Sequence, residues 1–414
     1  MMKRIGDYFF GDFRLKATDY PALYGLRAMA LFMLYFVHGY FFIRQNMVPH
    51  SEYLRNIIIN NSACIDLFFV LSGFLIAGPL FRELNAKKDI DFKKFYVRRT
   101  LRIFPAYYLF VFFQHFILAP KLMQGNLPEA GRKLADAYQY QYIFDFLYLA
   151  NYFPDTFMVH IWSLSLEEQF YIFLPPFLLY AYFKIAEQHR LRLLIGACIV
   201  PLILRVISYY WLVLPAENPK EAYDRFIYWP FFTHADSLLV GVTAAHIFVN
   251  RPEWIERLNT NLTLWRSLLA IILASTFAFG ILTHEYDPSI PTMVLRFPLF
   301  SISYALLMIM SFRKESILHR FLSLRVFIPF ARISYSTYIS HHLIMFPVTV
   351  ALVRAWGPEI TVSEYLKGVA IGGVFCSIFG YFYYLIAERP LLFVRQILDE
   401  RRKRALALQG SSGA

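Results

Sequence analysis

Cysteine is scarce: three residues in 414, Cys64, Cys198 and Cys376, lie far apart inside apolar stretches. That spacing offers neither a disulfide framework nor a zinc-binding pattern. Charged residues are scarce too, at 17 % of the chain, where a soluble protein carries about 25 %. The deficit excludes a disordered chain, a secreted disulfide scaffold and a nucleic-acid module. No HExxH, P-loop, GxSxG or CxxC pattern stands in a supporting context. His38 and His341 could be metal ligands, but no span holds ligands at i, i+4 in a proper set, so no metal and no resident cofactor are expected. The opening MMKRIGDYFFGDFRLKATDY is mixed and polar, so no cleavable signal is expected ahead of the first apolar run. The closing QGSSGA reads as a small flexible tail or an expression scar and is left out of the fold.

Apolar residues fill the space that charge leaves. They make up 58 % of the chain, mean hydropathy is +0.44, and aromatics reach 19 % with 43 Phe and 29 Tyr. Many aromatics are expected where helix ends meet lipid headgroups. The reading is an all-α, polytopic membrane helix bundle. Apolar windows of about 20 residues bounded by charge predict ten spans, at 22–43, 62–81, 103–119, 166–183, 193–214, 229–249, 267–283, 293–311, 330–353 and 366–387. The stretch YIFDFLYLANYF (142–153) is too short to cross and reads as an interfacial or re-entrant segment packed on the bundle.

The net charge of +12 is distributed unevenly. Lys and Arg crowd the N-tail, the loop from Arg82 to Arg102, every second loop after it, and the C-tail from Arg389 to Arg404. By the positive-inside rule both termini are cytoplasmic. The domain plan is a cytoplasmic N-tail (1–21), a transmembrane domain (22–390) and a basic cytoplasmic C-tail (391–414). The long outer loop, about 120–165, is where an external substrate would be read.

Ionisable groups inside spans are costly and count as site candidates. Arg27 and His38 are eleven residues apart in span one. Eleven steps of 100° leave them on one face, about 16 Å apart along the axis. A histidine that deep cannot snorkel to water. Asp66, in the first turn of span two, sits at a similar depth, where a carboxylate could orient the imidazole; helix-dipole stabilisation is the rival role. Arg99 and Arg102 are neighbours on one helical face and suit bidentate phosphate binding. Trp162 opens span four as an anchor or a cavity residue. Of Glu167 and Glu168, which face different ways, one is structural and the other faces the interior as a base or sugar ligand. Ser334, Tyr338 and His341 recur at i, i+4 and i+7 as one polar stripe in span nine. His342 points away from that stripe and reads as structural. His234 and Asp236 in span six are further candidates, and Glu388 at the end of span ten is expected to pair with an arginine.

Six blocks in order carry a resemblance over about 25–390: GLRAMALFMLYFVH (25–38), IDLFFVLSGFLI (65–76), RRTLRIFPAYY (98–108), WSLSLEEQFYIFLP (162–175), ISYSTYISHH (333–342) and ERP (388–390). Together they resemble the membrane acyltransferase 3 family. The resemblance implies a multi-pass enzyme of a cell membrane, the bacterial inner membrane. It would transfer an acyl group, usually acetyl from cytoplasmic acetyl-CoA, to a glycan or glycolipid beyond it, such as a lipopolysaccharide or capsule sugar. Arg27 and His38 match the family's essential pair, and Arg99 with Arg102 its paired-arginine block. HADSLLVG (234–241) departs from the related RxDxLxxG pattern by placing His234 where an arginine stands. No hydrolase-like domain follows span ten, so the chain would finish the transfer itself or hand the acyl group to a separate periplasmic protein.

These readings define a mechanism. The phosphates of acyl-CoA, a co-substrate, rest on Arg99 and Arg102, and Arg27 contacts the CoA arm. His38 takes the proton of an acceptor hydroxyl, oriented by Asp66 or Glu167, while Trp162, Glu168, Ser334, Tyr338 and His341 line the acceptor cavity. A route through acetyl-His38 stays open. The competing class is a proton-coupled transporter or flippase using the same buried charges, although no internal repeat is present.

Overall fold

The computed structural model describes residues 2–15, 19–123, 141–153, 159–283 and 288–396. Among them the regular structure is helical, apart from one isolated bridge between Met47 and Ile360. The principal helices are α1 (Met2–Phe10), α2 (Pro21–Ile43), α3 (Glu52–Asn60), α4 (Cys64–Lys87), α5 (Phe92–Phe113), α6 (Trp162–Pro176), α7 (Glu187–Ser208), α8 (Asp236–Asn250), α9 (Leu262–Leu282), α10 (Arg296–Met310), α11 (Phe327–Trp356) and α12 (Val362–Ala387).

Eight segments of the described residues are long and apolar enough to cross a membrane. The other two predicted spans, the fourth and sixth, are also helical but differ in kind. The fourth is α6 followed by a π-turn, Phe177–Tyr182, and it carries Glu167, Glu168 and a Pro175–Pro176 pair. The prolines withhold two amide hydrogens, and the backbone widens there into the i→i+5 pattern. The sixth is α8, only 15 residues long and so about 22 Å at 1.5 Å per residue. It is reached through a one-turn helix, Phe231–His234.

The inner frame is α4 against α8 on one side and α2, α11 and α12 on the other. Reciprocal glycines let α4 and α8 approach. A Cβ on Gly73 would lie 2.1 Å from the Leu238 carbonyl oxygen, and one on Gly241 would lie 2.2 Å from that of Val70. Small residues at such a crossing let dispersion and backbone contacts replace the hydrophobic drive that lipid removes. Pro21 starts α2, where its missing amide costs nothing. Arg389, 1 % exposed, ties the end of α12 to the N-terminus through Asp12 (2.7 Å) and the Tyr8 carbonyl (2.8 Å).

Of the stretch 142–153, residues up to 146 are helical and the rest turns. It packs on α5: Tyr107 and Tyr148 stack at 4.0 Å, and His115 meets the buried Asp145 at 2.8 Å. Burial pushes the Asp145 carboxyl above its ordinary range, against the pull of His115. Residues 124–140 and 154–158 of the outer loop (about 120–165), and the C-tail beyond 396, lie outside the described residues.

Candidate active site

The site is assembled from α2, α11 and the turn leading into α6. In α11 the His341 Nδ1–H donates to the carbonyl of Tyr338. A neutral imidazole with that proton has a lone pair on Nε2. His38 Nδ1 lies 3.0 Å from His341 Nε2, so His38 is the donor and its own lone pair is left on Nε2. The sequence of bonds therefore sets the His38 tautomer as a base would need it. His341, read from sequence as cavity lining, is the group that orients His38.

Asp66 and Glu167, the orienting groups expected from sequence, lie elsewhere. Asp66 accepts from Ser237 Oγ (2.6 Å) and pairs with His234 Nε2 (3.1 Å), while His234 Nδ1 donates to the Tyr228 carbonyl (2.6 Å). It makes no side-chain cap at the start of α4 either. Similar depth did not bring Asp66 to His38, because its side of α4 faces α8. Trp162 stacks on His234 at 5.5 Å and belongs to the same buried cluster. His234, the departure from the family pattern, thus has its own carboxylate. Asp236 is held by a fully buried arginine that sequence reading passed over, Arg205 of α7, at 2.9 and 2.6 Å.

Two cavities lie beside Arg27, and no histidine lines either of them. The larger, about 330 Å³, is lined by Arg27, Arg82, Arg102 and Arg332 with Tyr20, Tyr24 and Asp19. The smaller, about 50 Å³, is lined by Arg27, Ser72, Ser163, Glu167, Ser334 and Tyr338 among others. It has room for a few waters. Arg27 is the residue both cavities share. Glu167 accepts from Ser72 Oγ at 2.8 Å and faces this passage. The passage ends at Tyr338, whose hydroxyl bonds Ser163 Oγ and the His160 carbonyl. His38, partly exposed, lines neither cavity and is joined to the Tyr338 carbonyl through His341.

Arg99 and Arg102, expected as a phosphate-binding pair, have different surroundings. Arg102 lines the larger cavity, whereas the Arg99 guanidinium lies 4.1 Å over the ring of Tyr171. Arg332, unpredicted, joins Arg102 in the cavity wall but is paired with Asp19 at 2.8 Å. Glu168 is buried outside both cavities, with Oε2 unpartnered. Glu388 accepts from Ser336 rather than pairing with an arginine at bonding distance.

Two further histidines pack beside the dyad: His342, read from sequence as structural, and His160, which sequence reading did not single out. His342 packs 4.8 Å from His38, and His160 packs 4.3 Å from His342. The signal for His160 lay in HIWSLSLEEQF, two residues before a tryptophan at a helix start.

The profile described as an acyltransferase domain matches residues 20–382. The chain belongs to that family. It is 24 % identical over 367 residues to the O-acetyltransferase OatA of Staphylococcus aureus (strain NCTC 8325 / PS 47), covering 86 % of this chain and 55 % of the relative. It is 26 % identical over 235 residues to the peptidoglycan O-acetyltransferase OatA of Listeria monocytogenes, covering 54 % of this chain and 35 % of that protein. An uncharacterized protein of Haemophilus influenzae is 29 % identical over 212 residues, 50 % of this chain and 84 % of its own length. The chain thus spans about half or less of the two named acetyltransferases. No solved structure matches it.

Proposed function

We propose that this protein is a membrane O-acyltransferase that moves acetyl from cytoplasmic acetyl-CoA to a hydroxyl of a surface glycan. Both termini are cytoplasmic in this reading, and the enzyme sits in a bacterial inner membrane. The observation that carries it is the bond sequence Tyr338 carbonyl, His341, His38, which leaves a lone pair on His38 Nε2.

The larger cavity receives the phosphates of CoA. Neither Arg27 nor Arg102 makes a hydrogen bond to another described residue, so both can serve an anion. The thioester arm passes Arg27 into the smaller cavity and displaces the Ser163–Tyr338 contact. His38 Nε2 then takes the proton of the acceptor hydroxyl, and the hydroxyl oxygen forms a bond to the thioester carbonyl carbon. The carbon–sulfur bond breaks, and the thiolate recovers the proton from the His38 imidazolium. Imidazolium charge is stabilised through His341 and the Tyr338 carbonyl.

Relatives named for peptidoglycan add that polymer to lipopolysaccharide and capsule sugars as acceptors. The experiment is reconstitution of the purified chain in vesicles with radiolabelled acetyl-CoA inside. Peptidoglycan fragments, lipopolysaccharide sugars or a periplasmic acyl-accepting protein are supplied outside. Label on one of them that is lost with His38→Ala supports the reading. CoA binding with no labelled acceptor in any mixture overturns it.

A further inference from the structure

Four imidazoles crowd one end of the site. His38 comes from α2, His341 and His342 from α11, and His160 from the turn before α6. Their ring centroids lie 4.3 to 5.0 Å apart in the contacting pairs. Backbone carbonyls take the N–H of His341, at Tyr338, and of His160, at Ile339 (2.9 Å). The second bond leaves His160 Nδ1 with a lone pair, and that atom is buried without a partner; His342 Nε2 is buried without one as well. Each such atom has given up water with no bond in return. None of the four rings bonds a carboxylate among the described residues. One nitrogen from each of His38, His341 and His342 lies within 4.8 Å of the other two.

We propose that this cluster is a binding site for a borderline transition-metal ion of the zinc type, which switches the acyltransferase off. An all-nitrogen, uncharged set suits Zn²⁺, Co²⁺ or Cu²⁺ and does not suit Mg²⁺ or Ca²⁺, which need oxygen. Zinc–nitrogen bonds of about 2.0–2.1 Å put tetrahedral ligand atoms about 3.3 Å apart. His38 Nδ1 and His341 Nε2 are already 3.0 Å apart, and rotation of His342 brings in the third. The fourth position is open to His160 or water. Spacing in the sequence gave no sign of this, because the ligands come from two helices and His342 leaves the polar stripe by one residue.

The consequence for activity rests on the function proposed above. The ion takes the place of the proton between His38 and His341. His38 keeps its N–H by moving it to Nε2, with no proton gained or lost overall. The lone pair that would accept the substrate proton is then gone.

The test uses the full chain, purified in detergent and stripped with a chelator. Co²⁺ is titrated in as a spectroscopic probe and then displaced with Zn²⁺. One equivalent of Co²⁺ giving the intense visible bands of a tetrahedral nitrogen site is expected. His342→Ala should weaken it at least tenfold. His342→Cys, which restores a ligand, should recover binding with a sulfur-to-metal band; the exposed His189→Ala should bind like the unmodified chain. A weak six-coordinate spectrum, or equal affinity in folded His342→Ala, overturns the site. Stoichiometric Zn²⁺ should suppress acetyl transfer. Bound Zn²⁺ with undiminished transfer overturns the switch and the His38 base role together but leaves the metal site standing.

Discussion

At the scale of single residues, the proposed reaction gives the two histidines of the dyad separable roles. His38→Ala removes the base and should lower acetyl transfer by about 10²–10⁴-fold, the usual worth of general base catalysis, in protein that stays folded and binds CoA. His341 acts through His38. His341→Ala should reduce kcat by a smaller factor, leave the donor KM unchanged and shift the pH–rate profile. His341→Gln, which can still donate to the Tyr338 carbonyl and accept from His38, should restore much of the loss. Equal loss in both variants would make His341 a packing residue only. Asp66 belongs to another class. Asp66→Asn breaks a buried pair with His234, and losses of about 3–5 kcal/mol follow such breaks; thermal unfolding in detergent should show it, with turnover per folded molecule kept. Sequence made Arg27 and His38 legible because charge inside a span is rare. It could not make Asp66's partner legible, since depth along a helix says nothing about which neighbour its face meets. The neighbours of His342 were hidden for a related reason: leaving one stripe by 100° matters little when α2 and the His160 turn wrap both sides.

At the scale of elements, hydropathy located the eight long apolar segments but blurred α6 and α8. Both are shaped by packing rather than by lipid. α6 trades apolar residues for Glu167, Glu168 and paired prolines, and α8 gains its place from the glycine crossing with α4. That crossing is open to test. Gly73→Ala or Gly241→Ala puts a methyl into a backbone carbonyl at 2.1 or 2.2 Å, so the helices must separate. Each should destabilise the protein by about 1–3 kcal/mol, seen as earlier aggregation in a detergent melt. Gly196→Ala, where a Cβ meets nothing within 4 Å, should leave the melt unmoved. A neutral result at both Gly73 and Gly241 would mean that the α4–α8 contact adapts at no cost. Ser72, next to that crossing, bonds Glu167, a partner 95 residues away that no local pattern announces.

At the scale of the whole molecule, the proposed reaction divides its work between the larger, arginine-lined cavity and the smaller one, with Arg27 lining both. The paired arginines test this division because the structure separates them. Arg102 faces the larger cavity and Arg99 lies on Tyr171, although both share one face by spacing. If the cavity holds the CoA phosphates, Arg102→Ala removes a charge-assisted contact worth about 1.5–3 kcal/mol, so the donor KM should rise about 10–100-fold with kcat little changed. The rise should shrink as salt is added, because a charge open to a wet cavity is screened. Arg99→Ala should leave that KM within about threefold and act on kcat instead, since Arg99 supports the Tyr171 and Glu167 side of the passage. Steady-state transfer with the acetyl-CoA concentration varied separates these cases. Equal effects of the two variants on KM would mean that substrate binding draws Arg99 off Tyr171, so that the arginines close on the phosphates as a pair. An unchanged KM in both would confine them to setting the orientation of the chain in the membrane, and the larger cavity would then lose its role as the donor site.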